Sequence, residues 1–251
     1  MLYGNISKGY KSGGFNATAP MGLESYGQET NWTYEIGAKT SWLNGRVQLN
    51  TSLFYIDWKD LQLDQPNPFL PGRYYIDNAG EATSKGLEIE ALAEVAPGWV
   101  FFGGVGLTEA KFKDGAMAIS GADPGDPAVD VGGNRLPFAP DYTWFLGTQI
   151  QQSLTNNLTI FGRAEVNGLG RYYYDAINGA SQSSFELVNF RIGIQGRQEK
   201  YRWRAEFWIR NAFDTDYVPI AFPFATGLAP SGYLGEAGTP RTLGGTILVE
   251  F

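Results

Sequence analysis

Two segments carry the oxygen-bearing side chains that come closest to a metal-ligand pattern. These residues are Asn211, Asp214, Asp216 and Tyr217 in NAFDTDY, and Asp123, Asp126 and Asp130 in ADPGDPAVD. Hard cations such as calcium prefer oxygen ligands, but the second segment lacks the spacing and the closing glutamate of an EF-hand loop. The first segment lies where a strand would end, and Asn and Asp there commonly hydrogen-bond their own backbone. Both segments are therefore predicted to be loops rather than cation sites.

Histidine and cysteine are both absent from the 251 residues. Without imidazole there is no Ser-His hydrolase, no His-ligated metalloenzyme and no acid or base catalysis by histidine, which most acid-base enzymes use. Without thiols there is no disulfide framework, no thiolate zinc site and no cysteine nucleophile. The sequence therefore predicts no enzyme and no cofactor. The balance of 26 acidic against 19 basic residues gives a net charge of −7, which argues against a nucleic-acid partner because phosphate backbones require a basic surface.

Apolar and polar residues alternate with a period of two along most of the chain. In TYEIGAKTSW, for example, Tyr34, Ile36 and Trp42 fall on one face while Glu35 and Lys39 fall on the other. This period is typical of a strand with two different faces. The pattern recurs ten times, which predicts an all-β chain of about ten antiparallel strands in up-and-down order. Short turns, such as the one at Asn44-Gly45, alternate with long connections near 10–31, 59–82, 114–140, 173–184 and 218–240.

The apolar run YVPIAFPFATGLAPSGYLG is comparable in length to a membrane helix. Pro219, Pro223 and Pro230 interrupt it, and prolines so spaced break a helix interior. We therefore expect a loop.

Three features indicate that the apolar face of the strands meets lipid. The strands run about 10 to 14 residues, which suits a tilted membrane strand better than a soluble one. Charged residues such as Glu88, Glu90 and Arg163 stand in mid-strand on the polar face, where a wet lumen accommodates them. Aromatic residues, which favour the membrane interface, cluster near the strand ends at Tyr34, Trp42, Tyr55, Trp99, Phe101, Tyr142, Trp144, Trp203 and Phe251. Together they predict a transmembrane β-barrel of the bacterial outer membrane, in contact with its lipid.

The final strand ends on an aromatic residue after alternating apolar positions. Leu243, Ile247, Val249 and Phe251 form this series. It resembles the signal by which the barrel-assembly machinery recognises outer-membrane clients, so that machinery is an expected partner.

Five segments together resemble one family. They are ISKGYKSGGFN, SKGLEIEA, GNRLPFAP, NAFDTDY and PRTLGGTILVEF, in this order along the chain. Together they are similar to the C-terminal half of a TonB-dependent receptor. The resemblance implies that residues 1–251 form the C-terminal portion of a 22-stranded barrel domain. It also implies active uptake of an iron-siderophore chelate or another scarce nutrient, with energy from TonB acting through an N-terminal plug region that is missing here.

An alternative function is a self-contained small pore or structural barrel of ten strands, which requires the first strand to pair with the last. Ten-stranded membrane proteases and phospholipases are excluded because both need a histidine.

Residues for ligand binding are proposed from their position in the predicted barrel. Aromatic residues of the long loops would suit an extracellular ligand surface. Arginines of the lumen face would attract an anionic chelate or contact a plug. The aromatic candidates are Tyr74, Tyr75, Tyr173, Tyr174, Phe222 and Phe224, and the arginine candidates are Arg163 and Arg191. Glutamates interspersed with the arginines leave a second interpretation open, a charge-balanced lumen wall.

Overall fold

A computed structural model describes residues 1–70, 72–123, 125–198, 200–224 and 232–251. Ten long strands in these residues form one antiparallel sheet, in which each strand pairs with its neighbours in the chain. The strands are β1 (Leu2–Lys11), β2 (Glu29–Trp42), β3 (Val47–Lys59), β4 (Ala82–Ala96), β5 (Trp99–Phe112), β6 (Tyr142–Thr155), β7 (Leu158–Leu169), β8 (Phe185–Gln198), β9 (Tyr201–Arg210) and β10 (Thr242–Glu250). The predicted all-β class, strand count and up-and-down order are confirmed. Among the described residues, no helix is long and apolar enough to cross a membrane.

One rim of the sheet has short turns and the other carries long loops, as predicted. At the short-turn rim, Leu43 and Asn44 adopt positive φ angles of 53° and 57° before Gly45 at 90°, which turns β2 tightly into β3. Each long connection contains its own short hairpin. The paired strands are Gly14–Phe15 with Ser25–Tyr26, Gln62–Pro66 with Tyr74–Asn78, Met117–Ile119 with Ala128–Asp130, Tyr172–Tyr173 with Ser181–Gln182, and Ile220–Phe224 with Gly232–Glu236. Part of the predicted loop that contains Pro230 lies outside the described residues.

The strand register places apolar residues on one face of the sheet and polar residues on the other. A single row links Ile36, Leu53, Leu87, Leu107 and Tyr142 across β2 to β6. The apolar side chains of this face are well exposed, with Ile36 at 64%. Such exposure is unfavourable in water but suits a surface that contacts lipid.

Buried apolar clusters lie at the long-loop rim. One contains Phe112, Ala116, Ala118, Val131 and Ala176, and the other contains Tyr172, Tyr174, Phe185 and Ala221. The sheet therefore supplies a wall, and the loops above it form their own packed core.

The sheet is open along its two outermost strands. Within the described residues β1 pairs with β2 alone and β10 with β9 alone. The ten-stranded closed barrel needs a pairing of β1 with β10, which this register does not contain. Both edges keep unpaired backbone groups, which cost several kcal/mol each in lipid.

Candidate ligand-binding site

The long loops line a partly open cavity of about 690 Å³ at their rim. Its wall is largely apolar and aromatic, and includes Leu61, Leu63, Leu136, Phe138, Ile177 and Phe222. Two carboxylates, Asp64 and Asp175, also line it, whereas no lysine or arginine lines it among the described residues. A cavity of this kind suits a ligand with apolar or aromatic parts and hydrogen-bond donors.

Tyrosine hydroxyls and asparagine amides hold the loops around the cavity. The Tyr74 hydroxyl donates to the Pro223 carbonyl, and its ring meets Phe222 edge-on at 5.8 Å. On another side of the cavity, the Tyr174 hydroxyl donates to the Val218 carbonyl over 2.8 Å. Asn178 forms a reciprocal pair with the Arg135 backbone, accepting from its N–H at 3.0 Å and donating to its carbonyl at 2.9 Å.

Burial and nearby carboxylates keep these tyrosines protonated. Burial, together with the charges of Asp175 and Asp64, raises the pKa of Tyr74 to about 12. Burial also raises the pKa of Tyr233, whose hydroxyl donates to Asp175. Each hydroxyl therefore remains a donor over the whole physiological pH range.

Gln62 brings an unsatisfied acceptor to the cavity. Its side chain is 8% exposed, and its amide nitrogen donates to the carbonyls of Ser12 at 3.0 Å and Gly27 at 2.9 Å. Its Oε1 atom is buried and accepts no hydrogen bond from the described residues. Gln62 lines the cavity, and its unsatisfied oxygen is therefore a buried acceptor next to the cavity.

The predicted aromatic candidates separate into two groups. Tyr74, Tyr174 and Phe222 line the cavity together. By contrast, Tyr75 is buried at 3% exposure, and Tyr173 and Phe224 are absent from the cavity wall.

The arginine candidates lie elsewhere, in an open groove of about 470 Å³ on the lumen face. Arg163 of β7 and Arg191 of β8 are directly opposite each other there. Arg163 stands six residues below the end of β7, or about 20 Å from the loop rim. The structure thus brings the two arginines together but not with the aromatic residues.

The sequence did not single out several residues that shape the cavity. Phe138 packs against Tyr172 and Tyr174 with ring centroids 6.2 and 6.1 Å apart, and it adopts a positive φ of 57°. Asp175 and Tyr233 are joined across 58 positions of the chain. No local pattern indicates such contacts, although Phe138 belongs to the GNRLPFAP segment.

Side chains of the NAFDTDY segment hold the loop after β9 through hydrogen bonds to its backbone. The Asn211 side chain is 4% exposed, donates to the carbonyls of Thr215 and Thr239, and accepts from the Thr215 N–H at 2.8 Å. Asp214 accepts from the Arg241 N–H at 2.7 Å. The interpretation of this segment as a hydrogen-bonded turn is confirmed.

An open β wall with an apolar outer face, a polar lumen face and a cavity-forming loop rim defines the class of outer-membrane barrel proteins that gather ligands. The family described as TonB dependent receptor-like, beta-barrel, matches residues 1–212. The chain belongs to this family. It is an outer-membrane protein, and its relatives are receptors rather than enzymes.

Individual relatives agree with this assignment. The pesticin receptor of Yersinia enterocolitica serotype O:8 / biotype 1B is 26% identical over 253 residues, which cover 100% of this chain and 34% of the relative. The chain therefore spans about a third of the length of the curated relatives it matches. Among solved structures, the ferric yersiniabactin uptake receptor of Yersinia pestis superposes with a TM-score of 0.77 at 24% identity, covering 100% of this chain and 35% of that one. The siderophore receptor PiuA of Acinetobacter baumannii superposes with a TM-score of 0.70 at 17% identity, covering 99% and 33%. These structures share the fold.

Proposed function

We propose that this chain is the C-terminal barrel portion of an outer-membrane active-transport receptor for a siderophore-iron chelate or another scarce nutrient. Family membership and the names of the relatives support uptake of a chelate. The observation that carries the proposal is the loop cavity, where Tyr74, Tyr174 and Phe222 stand beside the unsatisfied Gln62 Oε1 atom. A buried acceptor without a partner is costly unless a ligand or water supplies the donor.

The proposed receptor has four kinds of partner. Its apolar outer face contacts outer-membrane lipid, and its loop cavity takes the chelate. TonB supplies energy through an N-terminal plug region, as the resemblance implies. The barrel-assembly machinery recognises β10 through Leu243, Ile247, Val249 and Phe251, which are exposed at 61%, 81%, 43% and 102%.

The domain assignment belongs to the same proposal. Residues 1–251 form one barrel portion, because β10 lies beyond the family match and yet continues the sheet by pairing with β9 over Arg202 to Arg210. The larger 22-stranded barrel would give partners to the two open edges.

An immunoblot of the source outer membrane, with an antibody against this chain, tests the larger receptor. We expect a band about three times the mass of the chain, in line with the 34% coverage of its relatives. A band at 27.6 kDa with heat-shifted mobility would contradict the proposal and favour the small barrel.

Binding measurements test the loop cavity. The probe is ferric yersiniabactin, after which one structural relative is named, followed by other ferric chelates if it does not bind. We expect Phe222→Ala and Gln62→Leu to weaken binding at least tenfold, as judged by quenching of intrinsic fluorescence. Tyr173→Ala is the matched control, since Tyr173 is a loop aromatic outside the cavity wall. Equal losses in control and cavity variants would contradict the assignment of this site.

A further inference from the structure

The lipid face of the sheet carries its lysines at one place, the long-loop end of β1 to β5. The register puts four lysines and two carboxylates there, on the same face as Leu53 and Leu87. Lys113 and Glu81, just outside β5 and β4, join them because Lys113 pairs with Asp57 at 2.6 Å and with Glu81 at 2.8 Å. This lysine patch consists of Lys8, Lys59, Lys85, Lys111, Lys113, Asp57, Glu81 and Glu109.

The lysine patch is positive although the chain as a whole is acidic. Its five lysines and three carboxylates give a formal charge of +2, in a chain with a net charge of −7. The lipid-face positions of β6 to β10 carry one charged residue, Glu186, and neither lysine nor arginine. Positive charge on the lipid face is therefore confined to one side of the sheet.

The height of the lysine patch on the sheet matches the level of lipid headgroups. Lys85 is directly opposite Tyr55, which is in turn directly opposite Tyr34. Tyrosine and tryptophan rings on a lipid face favour the level of the headgroups. Long loops mark the extracellular side of a bacterial barrel. The patch therefore faces the headgroups of the outer leaflet.

Two lysines at the centre of the patch share one carboxylate. Lys85 Nζ lies 2.9 Å from one oxygen of Glu109, and Lys111 Nζ lies 3.4 Å from the other. One carboxylate neutralises one ammonium group, so this trio keeps a formal charge of +1. The lysine side chains are 59% and 41% exposed. Because β4 and β5 each have a neighbouring strand on both sides, the trio does not stand at an open edge of the sheet.

An apolar groove begins at Lys85 and follows the lipid face away from the loops. It is an open groove of about 740 Å³. Gly4, which is directly opposite Ile36, has no side chain and leaves room between the larger residues. The side chains along the groove are those of Ile6, Tyr34, Ile36, Leu53, Tyr55 and Lys85. The groove thus joins an ammonium group at headgroup level to an apolar channel below it.

We propose that the lysine patch and this groove form a binding site for a phosphate-bearing acyl lipid of the outer leaflet. The phosphate lies between Lys85 and Lys111 and takes the place of Glu109 as their partner, and one acyl chain lies along Ile36 and Leu53. Lysines near an anionic lipid surface attract its headgroups, and hydrogen bonds between charged groups are stronger than neutral ones. The inference goes beyond the receptor proposal, because it concerns the outer face and can be tested without any chelate.

Photo-cross-linking tests where the lipid binds. The receptor as its gene encodes it, purified in non-ionic detergent, carries p-benzoylphenylalanine in place of Leu53 in the groove. The matched control has it in place of Ile192 on β8, since the two side chains are 55% and 56% exposed on the same face. The probes are lipid A with two phosphates and phosphatidylcholine, whose headgroup has no net charge. Mass spectrometry of the illuminated protein measures the yield of each adduct.

We expect lipid A to cross-link about tenfold more than phosphatidylcholine at position 53 and less than about twofold more at position 192. Equal ratios at the two positions would overturn the proposal. Inorganic phosphate should leave the yield at position 53 within about twofold, because an acyl lipid is held by the groove as well. Complete displacement by phosphate would overturn the assignment to a lipid.

Charge variants test the role of the trio, with folding checked by heat-modifiable mobility on gels. The double change Lys85→Gln with Lys111→Gln should lower the lipid A yield at position 53 about tenfold, and the corresponding arginine variants should retain it. Lys39→Gln on the lumen face is the matched control and should have no effect. A preference for lipid A that persists in the folded Gln double variant would contradict the proposal.

Glu109→Gln separates a lipid site from a merely structural ion-pair cluster. The change removes the carboxylate that competes for both lysines, so we expect the lipid A yield at position 53 to rise about threefold. Lysines that only extend towards water would leave the yield unchanged. An unchanged or lower yield in the folded variant would overturn the proposal.

Discussion

The loop cavity and the lumen groove select opposite chemistry, although both belong to one sheet. Asp64, Asp175 and the free Gln62 oxygen give the cavity an excess of acceptors. Four arginines against one glutamate give the groove an excess of donors and positive charge. The difference predicts that a chemical group suited to one of these places is unsuited to the other. Apolar and donor groups suit the rim, and acidic groups suit the wall.

The two places also differ in how they are held together. The cavity is enclosed by hydrogen bonds between residues far apart in the chain, such as Tyr74 with Pro223 across 149 positions. The groove is built from cross-strand neighbours, in which glycine, aromatic ring and guanidinium lie in layers. Changes in the groove should therefore affect the sheet, whereas changes at the rim should affect the loops alone.

The largest expected effect comes from filling the base of the groove. A methyl group in Gly193→Ala would approach the Ala205 carbonyl to 2.5 Å and would also strike Phe161. Overpacking of this kind costs about 3 kcal/mol, and we expect a clear loss of unfolding free energy in urea, followed by heat-modifiable mobility on gels. Gly162→Ala is the control, since its methyl group would meet its nearest atom at an ordinary 3.6 Å. Equal stability of both variants would show that the layer is not tightly packed.

A smaller and more local effect is expected from Asn211→Ala. The change leaves the Thr215 N–H and the Thr215 and Thr239 carbonyls without their partner, at a cost of about 2 kcal/mol. We expect faster proteolysis within residues 212–240 and an unchanged urea midpoint for the sheet. A lowered midpoint would show that the rim and the wall unfold together.

Loss of one hydroxyl at the rim should have a weaker effect. Tyr74→Phe removes the hydrogen bond to the Pro223 carbonyl and keeps the ring against Phe222, so we expect a loss of about 1 kcal/mol. Hydrogen exchange of the 220–224 strand should accelerate about fivefold, the equivalent of that energy. Tyr173→Phe should leave the exchange unchanged, and an equal effect there would contradict the specific role of Tyr74.

The stability of the loop rim should also depend on pH in the alkaline range, and it should not change near neutral pH. Because burial raises the pKa of Tyr74 from an ordinary value near 10 to about 12, its contribution to stability is fully present below pH 10 and is lost as the pH rises through about 12. The pKa of Tyr233 shifts in the same direction. Proteolysis of the loops at pH 9 and pH 11 should show greater opening at the higher value. The increase in proteolysis from pH 9 to pH 11 is then compared between Tyr74→Phe and the parent. A smaller increase in Tyr74→Phe would identify Tyr74 as one titrating group.

The strand pattern could be predicted from the sequence because each strand decides its two faces locally. Adjacent residues such as Glu35 and Ile36 point to opposite faces of the sheet. Polar residues suit the lumen face and apolar residues suit the lipid face, so the alternation is visible in the sequence. Hairpin turns at Asn44-Gly45 and Pro97-Gly98 fix the next strand in order. The family resemblance also rested on short local segments.

Tertiary structure alone decided which residues share a site. Tyr74, Tyr174 and Phe222 meet only because three separate loops fold onto one another, and Tyr75, adjacent in sequence, is buried instead. Alternation placed Arg163 and Arg191 on the lumen face, but only the strand register shows that they lie directly opposite each other. Alternation is a property of neighbours in sequence, but a cavity or an electrostatic surface sums contributions from residues that only folding brings together.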